Sequence, residues 1–254
     1  MFDIQGMRVL VTGGTSGLGF AIAEGLGRLG ARLVVGSRGA DRVREAEESI
    51  RRSGAECAGA VLDVTDEASA EAAVRATTEL YGGIDGLVNA AGITKRVATM
   101  DMAAEDWRAI IEVNLTGTLL VSRAAGKRMR EQGAGAIVNI ASATSFVAFY
   151  EVAAYSSSKA GVVGLTQNLA NDWAQHGIRV NGLAPGVFPT PLNRSLIQGT
   201  PRGQWLLEHT PMARFGEPGE LVGATAFLLS SAASYITGAV LPVDGGFLAR
   251  GVGC

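Results

Sequence analysis

Short apolar runs and helical stripes alternate along the whole chain. That alternation predicts the α/β class: one domain spanning residues 1–254, with a doubly wound sheet of seven mostly parallel strands and helices on both faces. Two further observations support the class. A cluster of glycines follows the first apolar run and leads directly into a helical pattern, the join between strand and helix that a βαβ unit requires. With 47% hydrophobic and 18% charged residues, 254 residues suffice for one large core, and no composition shift or low-complexity tract marks a second domain.

The first run, Arg8–Thr12 (RVLVT), is short, apolar and rich in β-branched residues, as a buried strand should be. Gly13-Gly14-Thr15-Ser16-Gly17-Leu18-Gly19 follows, and then the helical pattern of residues 20–29. Glycines in such a turn let backbone approach a pyrophosphate, and the helix N-terminus supplies unpaired N–H groups and partial positive charge. With a strand before it and a helix after it, the turn points to dinucleotide binding in a Rossmann-type domain; a tight turn that binds nothing is the plainer reading. Residues 32–35 complete the βαβ unit, and the end of this strand should face the adenosine ribose. A carboxylate there would accept from both ribose hydroxyls, but the sequence offers Gly36-Ser37-Arg38. A guanidinium is the group that pairs with a 2′-phosphate, so NADP is favoured over NAD, unless Arg38 merely caps a solvated loop before helix 41–52.

Strands are expected at 56–62, 86–90, 136–141, 179–184 and 239–243, and helices at 67–81, 103–130 and 153–173. Ligands of such sheets sit beyond the carboxyl ends of the strands, which puts Asp63, Asn89, Ser142 and Pro185-Gly186 along one crevice. Asp63 either accepts from an adenine amino group or serves a turn. The backbone of Asn89-Ala90-Ala91-Gly92 either lies against a cofactor or simply ends a strand. Asn114 falls on an apolar stripe of the long helix, where an unpartnered amide would cost roughly 1–3 kcal/mol, so it either binds a water for proton transfer or hydrogen-bonds the core. Residues 188–211, rich in Pro, Gly and Thr, suit a lid whose Leu192, Leu196, Ile197, Trp205 and Leu206 exclude water on closing, or a static excursion.

Several function classes are excluded on composition. A formal net charge of −2 leaves no basic footprint for nucleic acid and no polybasic membrane patch. No apolar run reaches the ~18 residues that span a bilayer, and residues 1–6 carry no signal-peptide pattern. Cys57 and Cys254 stand far apart without metal-ligand spacing, so neither a disulfide framework nor a metal site is expected, and a cytoplasmic location is the simplest. A serine hydrolase is a poor reading, because the Gly-x-Ser-x-Gly elbow is absent and neither His176 nor His209 has an evident acidic orienter.

The chemistry concentrates on Tyr155-Ser156-Ser157-Ser158-Lys159. The residues that follow recur at helical spacing as Val162, Leu165, Leu169 and Trp173, so Tyr155 and Lys159 share one helix face. A fixed ammonium one turn above a phenol should favour phenolate and lower a pKa that starts near ~10, tuning the phenol to exchange a proton with an alcohol or carbonyl. Ser142 ends a strand just before this helix, so its hydroxyl can face the phenol across the crevice.

Taken in order, Thr12-Gly13-x-x-x-Gly17-x-Gly19, Asn89-Ala90-Ala91-Gly92, Asn114, Ser142, Tyr155, Lys159 and Pro185-Gly186 with Thr190 resemble the short-chain dehydrogenases/reductases over nearly the whole chain. The one departure is Ala90, where the family often has a second asparagine. The resemblance implies a catalytic tetrad: Tyr155 as acid/base, Lys159 lowering its pKa and binding nicotinamide ribose, Ser142 holding the substrate oxygen, and Asn114 keeping a lysine-linked water. The implied cofactor contacts are Gly13, Thr15, Ser16, Gly17, Leu18, Gly19, Arg38, Asp63, Val64, Asn89, Ala90, Gly92, Tyr155, Lys159, Pro185, Gly186, Phe188 and Thr190. Hydride transfer with one positioned proton donor needs no metal. Residues 92–96, 211–216 and 244–250 are similar to the sugar-acid members, in which Lys95 and Arg96 would clamp a substrate carboxylate; both are otherwise residues of a solvated loop. Reduction of a 3-oxoacyl or other small ketone is the alternative activity, and a non-catalytic nucleotide-binding regulator the alternative class. The resemblance also implies a homotetramer paired through helices 103–130 and 153–173. Small residues Gly117, Ala124, Ala160, Gly161 and Gly164 would permit that approach, or pack the core instead.

Overall fold

The computed structural model describes residues 2–191 and 193–251. Its first half runs β1 (Arg8–Thr12), α1 (Gly17–Arg28), β2 (Arg32–Ser37), α2 (Ala40–Arg52), β3 (Cys57–Val61), α3 (Glu67–Tyr81) and β4 (Gly86–Asn89). The second half runs α4 (Ala104–Ile111), α5 (Gly117–Gln132), β5 (Gly135–Ile140), α6 (Ala153–Trp173), β6 (Ile178–Pro185), α7 (Arg194–Ile197), α8 (Pro201–Glu208), α9 (Glu220–Leu229) and β7 (Val240–Val243). The strands form one sheet in the order β3-β2-β1-β4-β5-β6-β7, and every neighbouring pair is parallel, so the expected seven strands are wholly rather than mostly parallel.

Alternation of side chains along each strand divides the core between two faces. Val9 and Val11 of β1, with Leu33 and Val35 of β2, pack against Ile22 and Leu26 of α1, Ile50 of α2 and Leu221 of α9. The intervening Leu10 and Val34 point the other way, onto Val74 of α3, Val121 and Met129 of α5 and Leu169 of α6. The chain leaves β1 toward β2 and β3, then returns to build β4 to β7 on the other side. This reversal splays the two connections apart at the carboxyl ends of β1 and β4, which opens the crevice of a doubly wound sheet.

The long helix expected at 103–130 is present with one difference. Between α4 and α5, Glu112–Thr116 form a π turn, and Asn114 lies in it fully buried. Two glycine-permitted contacts also shape the second face: a Cβ on Gly117 would lie 2.7 Å from Val64, and one on Gly161 would lie 2.7 Å from Leu115. These residues and the buried Ala124 pack the interior, while Ala160 is exposed and a Cβ on Gly164 would meet nothing within 4 Å. No described helix is long and apolar enough to cross a membrane.

Candidate active site

The crevice at the carboxyl ends of β1, β4, β5 and β6 encloses about 270 Å³. Its floor is the glycine turn. Thr12, the last residue of β1, turns its hydroxyl toward β4, where Oγ1 accepts from the N–H groups of Ala90 (3.1 Å) and Ala91 (3.2 Å). Gly13, at φ +64°, sits so close to that segment that a Cβ would lie 2.8 Å from Ala91 backbone. A Cβ on Gly19 would stand 2.4 Å from the Gly13 carbonyl oxygen, whereas Gly17, at φ +55°, faces open space with only Thr190 at 3.8 Å. Ser16 begins α1 without a side-chain cap, so the leading N–H groups of the helix are open to the crevice, as an anionic ligand requires.

Opposite the turn stand Ser142, Tyr155 and Lys159, with Ile140, Pro185, Gly186, Phe188 and Thr190 completing the wall. Lys159 is buried, its Nζ donating to the Ile140 carbonyl at 2.6 Å and lying 5.8 Å from the centre of the Tyr155 ring. Asn114 lies on the same spot: a Cβ on Gly92 would come 3.3 Å from Asn114 Oδ1 and 3.7 Å from Lys159 Nζ, a tight fit against the amide and an ordinary contact with the lysine. The Asn114 amide is spent on protein partners. Its Oδ1 accepts from Ile93 N (2.8 Å), and its Nδ2 donates to Ile93 O (3.0 Å) and Ser158 Oγ (2.9 Å). These bonds pin the strand-β4 exit to α6.

Electrostatics differs from the sequence expectation. Burial raises the Tyr155 phenol above its usual range even though part of the ring opens on the crevice, and the Ser142 hydrogen bond only partly opposes that rise. Burial likewise pushes the Lys159 ammonium down to about 8. The anticipated lowering of the phenol by its cationic neighbour is therefore not what this arrangement produces. Both charges are disfavoured by the same lack of solvent, and Lys159 spends its nearest contact on the Ile140 carbonyl rather than on the phenol oxygen.

Other expected residues fall outside the crevice wall. Asn89 is buried beneath it, donating to Ser122 Oγ and Asn139 Oδ1, both at 2.8 Å, and Asn139 passes the chain on to Thr166 Oγ1 at 3.0 Å. Its side chain braces β4 to β5 and does not line the crevice, whereas Ala90, Ala91 and Gly92 do. Asp63 is engaged in a turn, Oδ1 accepting from Thr65 N (3.0 Å) and Thr65 Oγ1 (2.7 Å). These bonds hold its carboxyl below the usual range, and the charge of Arg38 acts in the same sense. Arg38 is exposed at the end of β2 and has no hydrogen bond or ion pair among the described residues. Thr15 and Val64 do not line the wall. Lys95 pairs with Asp106 (2.5 Å) and Arg96 with Glu151 (2.6 Å), and neither lines the crevice, so the geometry gives the carboxylate clamp no support.

Two contributors escaped the sequence reading, and a third, Thr12, stands in the glycine motif without a role of its own. The Ile140 carbonyl that holds Lys159 is main chain and leaves no residue-type signal. Thr12 differs from any strand-ending threonine only through its partners. Asn193 lines the crevice and shapes its rim, accepting from Thr190 N (2.8 Å) and donating to the Phe188 carbonyl (3.0 Å). The 188–211 connection carries α7 and α8 with Ile197 and Leu206 buried, whereas Leu196 and Trp205 are exposed; Leu192 lies outside the described residues, as does Cys254. Cys57 is buried, and burial pushes its thiol up to about 12, where it is inert.

A glycine turn packed on a strand end thus faces a buried serine and lysine and a half-buried tyrosine. Residues 13–248 match the family described as Enoyl-(Acyl carrier protein) reductase. The chain belongs to the short-chain dehydrogenase/reductase family. It is 39% identical to gluconate 5-dehydrogenase of Gluconobacter oxydans, covering 97% of this chain and 96% of that one. It is 38% identical to 5-keto-D-gluconate 5-reductase of Escherichia coli, over 98% of each. The crystal structure of a gluconate 5-dehydrogenase from Burkholderia cenocepacia in complex with NADP and tartrate superposes with a TM-score of 0.94 at 38% identity, covering 98% of both chains. As a member of this family the chain is an oxidoreductase that uses a nicotinamide cofactor, and the glycine cradle, with its uncapped helix start and the absence of side chains at Gly13, Gly17 and Gly92, fits such a group.

Proposed function

We propose that the protein is a cytosolic, NADP-preferring oxidoreductase that interconverts a secondary alcohol and a ketone on a sugar acid of the gluconate/ketogluconate type. The observation that carries the reading is the convergence of Ser142, Tyr155 and Lys159 on the crevice whose floor is the Gly13–Gly19 turn. The bound nicotinamide supplies or accepts the hydride. Tyr155 exchanges the proton at the substrate oxygen, and the rise that burial imposes on its phenol keeps it protonated, as a donor to a carbonyl must be. Ser142 hydrogen-bonds the same oxygen, and Lys159, held by Ile140 and close to its titration point near pH 8, sits where it can stabilise phenolate once the proton has moved.

The preference for NADP rests on Arg38, an exposed guanidinium with no hydrogen bond or ion pair among the described residues, at the place where an NAD-binding site would carry an acid. The sugar-acid reading rests on the relatives named above. It is tested by following absorbance of the reduced nicotinamide with aldonates, ketoaldonates, neutral polyols and neutral ketones, each with both cofactors. Turnover of the acids with NADP(H) is the expected result; turnover confined to neutral compounds would overturn the substrate class, and equal use of NADH would overturn the cofactor preference.

A further inference from the structure

A second pocket, of about 580 Å³, shares no lining residue with the crevice. It lies between the loop that follows Ser142, helix α8 and the short turn Phe247–Ala249. Its walls are aromatic. Trp205 and His209 stack with ring centres 3.7 Å apart and planes 17° from parallel, a geometry fixed by the Trp205 carbonyl hydrogen-bonded to His209 Nδ1 at 2.8 Å. Across from them Phe149 and Phe247 meet edge to face at 5.6 Å. Tyr150 (84% exposed) and Trp205 (49%) leave a large apolar rim open, more than isolated surface side chains do.

The charged lining is of one sign. Arg202 and Arg250 are the cations, and no carboxylate lines the pocket among the described residues. Nearby acids are engaged elsewhere: Glu151 with Arg96, and Glu208 as acceptor for Gln204 Nε2 at 2.9 Å. Arg250 spends one donor on the Glu208 carbonyl (2.9 Å), while the hydrogen bond of Arg202 among the described residues is a long one to the Tyr150 carbonyl at 3.5 Å. A half-buried guanidinium with five donors has one stretched acceptor and no directly bonded carboxylate counter-ion among the described residues; burial, then the like charge of Arg96, push against its protonation, and Glu151, already paired with Arg96, opposes them least. A carboxylate would supply that counter-ion in bidentate form.

We propose that this pocket binds an organic carboxylate with an apolar body, its charged end on Arg202 with Arg250 adding positive potential, and its body between the Trp205–His209 stack and the Phe149–Phe247 pair. The site is separate from the hydride-transfer crevice and does not depend on which substrate that crevice takes. The test uses the full chain with 4-phenylbutyrate and its neutral counterpart 4-phenylbutan-1-ol, binding being measured by calorimetry and located by tryptophan fluorescence. The acid should bind about tenfold or more tightly than the alcohol, the worth of a charge-assisted pair. Arg202→Gln should erase that preference, Arg202→Lys should keep part of it, and Trp205→Phe should remove the fluorescence change. Raising ionic strength should weaken the acid and leave the alcohol unchanged, a readout that survives even if Arg202→Gln fails to fold. Equal affinity of acid and alcohol, a salt-independent acid, a preference intact in Arg202→Gln, or no saturable binding because a second copy of the chain covers the rim would each overturn the proposal.

Discussion

At the scale of single residues, the site is a set of groups whose protonation is governed by burial. Tyr155→Phe removes the proton donor and nothing else, so turnover should fall by about 10²–10⁴-fold while NADPH binding, followed by cofactor fluorescence, stays within a small factor of wild type. Near-native turnover in that variant would refute the assignment. Lys159 makes a different prediction. Its folded pKa, near 8, lies below the unfolded value, so the unfolded chain binds more protons between those limits. Stability from this group is therefore lowest below pH 8 and recovers as pH rises. Between pH 8 and about pH 10 the wild type should gain about 2–3 kcal/mol relative to Lys159→Met in urea unfolding, an upper bound for so buried a group. Arg38→Ala should raise KM for NADPH about tenfold and leave NADH unaffected, since only the 2′-phosphate loses a partner. These residue identities were legible in the sequence because chemistry restricts residue type. Their protonation was not: the spacing of Tyr155 and Lys159 fixes a shared helix face, whereas the direction of each pKa depends on how much water the surrounding fold removes.

At the scale of elements, the π turn at Glu112–Thr116 is the feature that joins fold to site. The turn carries one extra residue and holds Asn114 buried on the inward face of the helix. There it satisfies both backbone groups of Ile93, just past Gly92, and reaches Ser158 one position before Lys159. Asn114→Ala should therefore cost about 2–4 kcal/mol in thermal or chemical unfolding, because two backbone groups lose their partner at once, and should lower kcat more than it alters cofactor affinity. A loss confined to surface values of a few tenths would mean the clamp is not structural. The helix itself was legible from its apolar period, and its start and end fell close to the observed bounds. The π turn was not, because adding one residue to one turn leaves the hydrophobic pattern nearly unchanged while rotating everything that follows. The same limit applies to Asn89, whose place at a strand end suggested a ligand contact; the parity of the pleat turns its amide into the core, toward Ser122 and Asn139.

At the scale of the whole molecule, surfaces left without an internal partner bear on assembly. Gly164 of α6 faces outward with open space around it, while Gly117 and Gly161 are closed in by Val64 and Leu115. If α6 pairs with its counterpart in the homotetramer that the family resemblance implies, Gly164→Arg should lower the mass seen by light scattering and leave the far-ultraviolet spectrum unchanged; an unaltered mass would remove α6 from the interface. The sequence by itself determined the class, the seven strands, the order of the motifs and which residues are candidates for the reacting groups. Each of these follows from local physics: the period of burial, the φ angles glycine allows, and the few side chains able to exchange a proton. Only the tertiary structure decided which residues meet. It withdrew Lys95 and Arg96 into ion pairs, turned Asn89 inward, set the pKa directions by burial, and left Arg202 with no directly bonded carboxylate among the described residues, because contacts between residues far apart in the chain, and the water they exclude, exist only once the layers have packed.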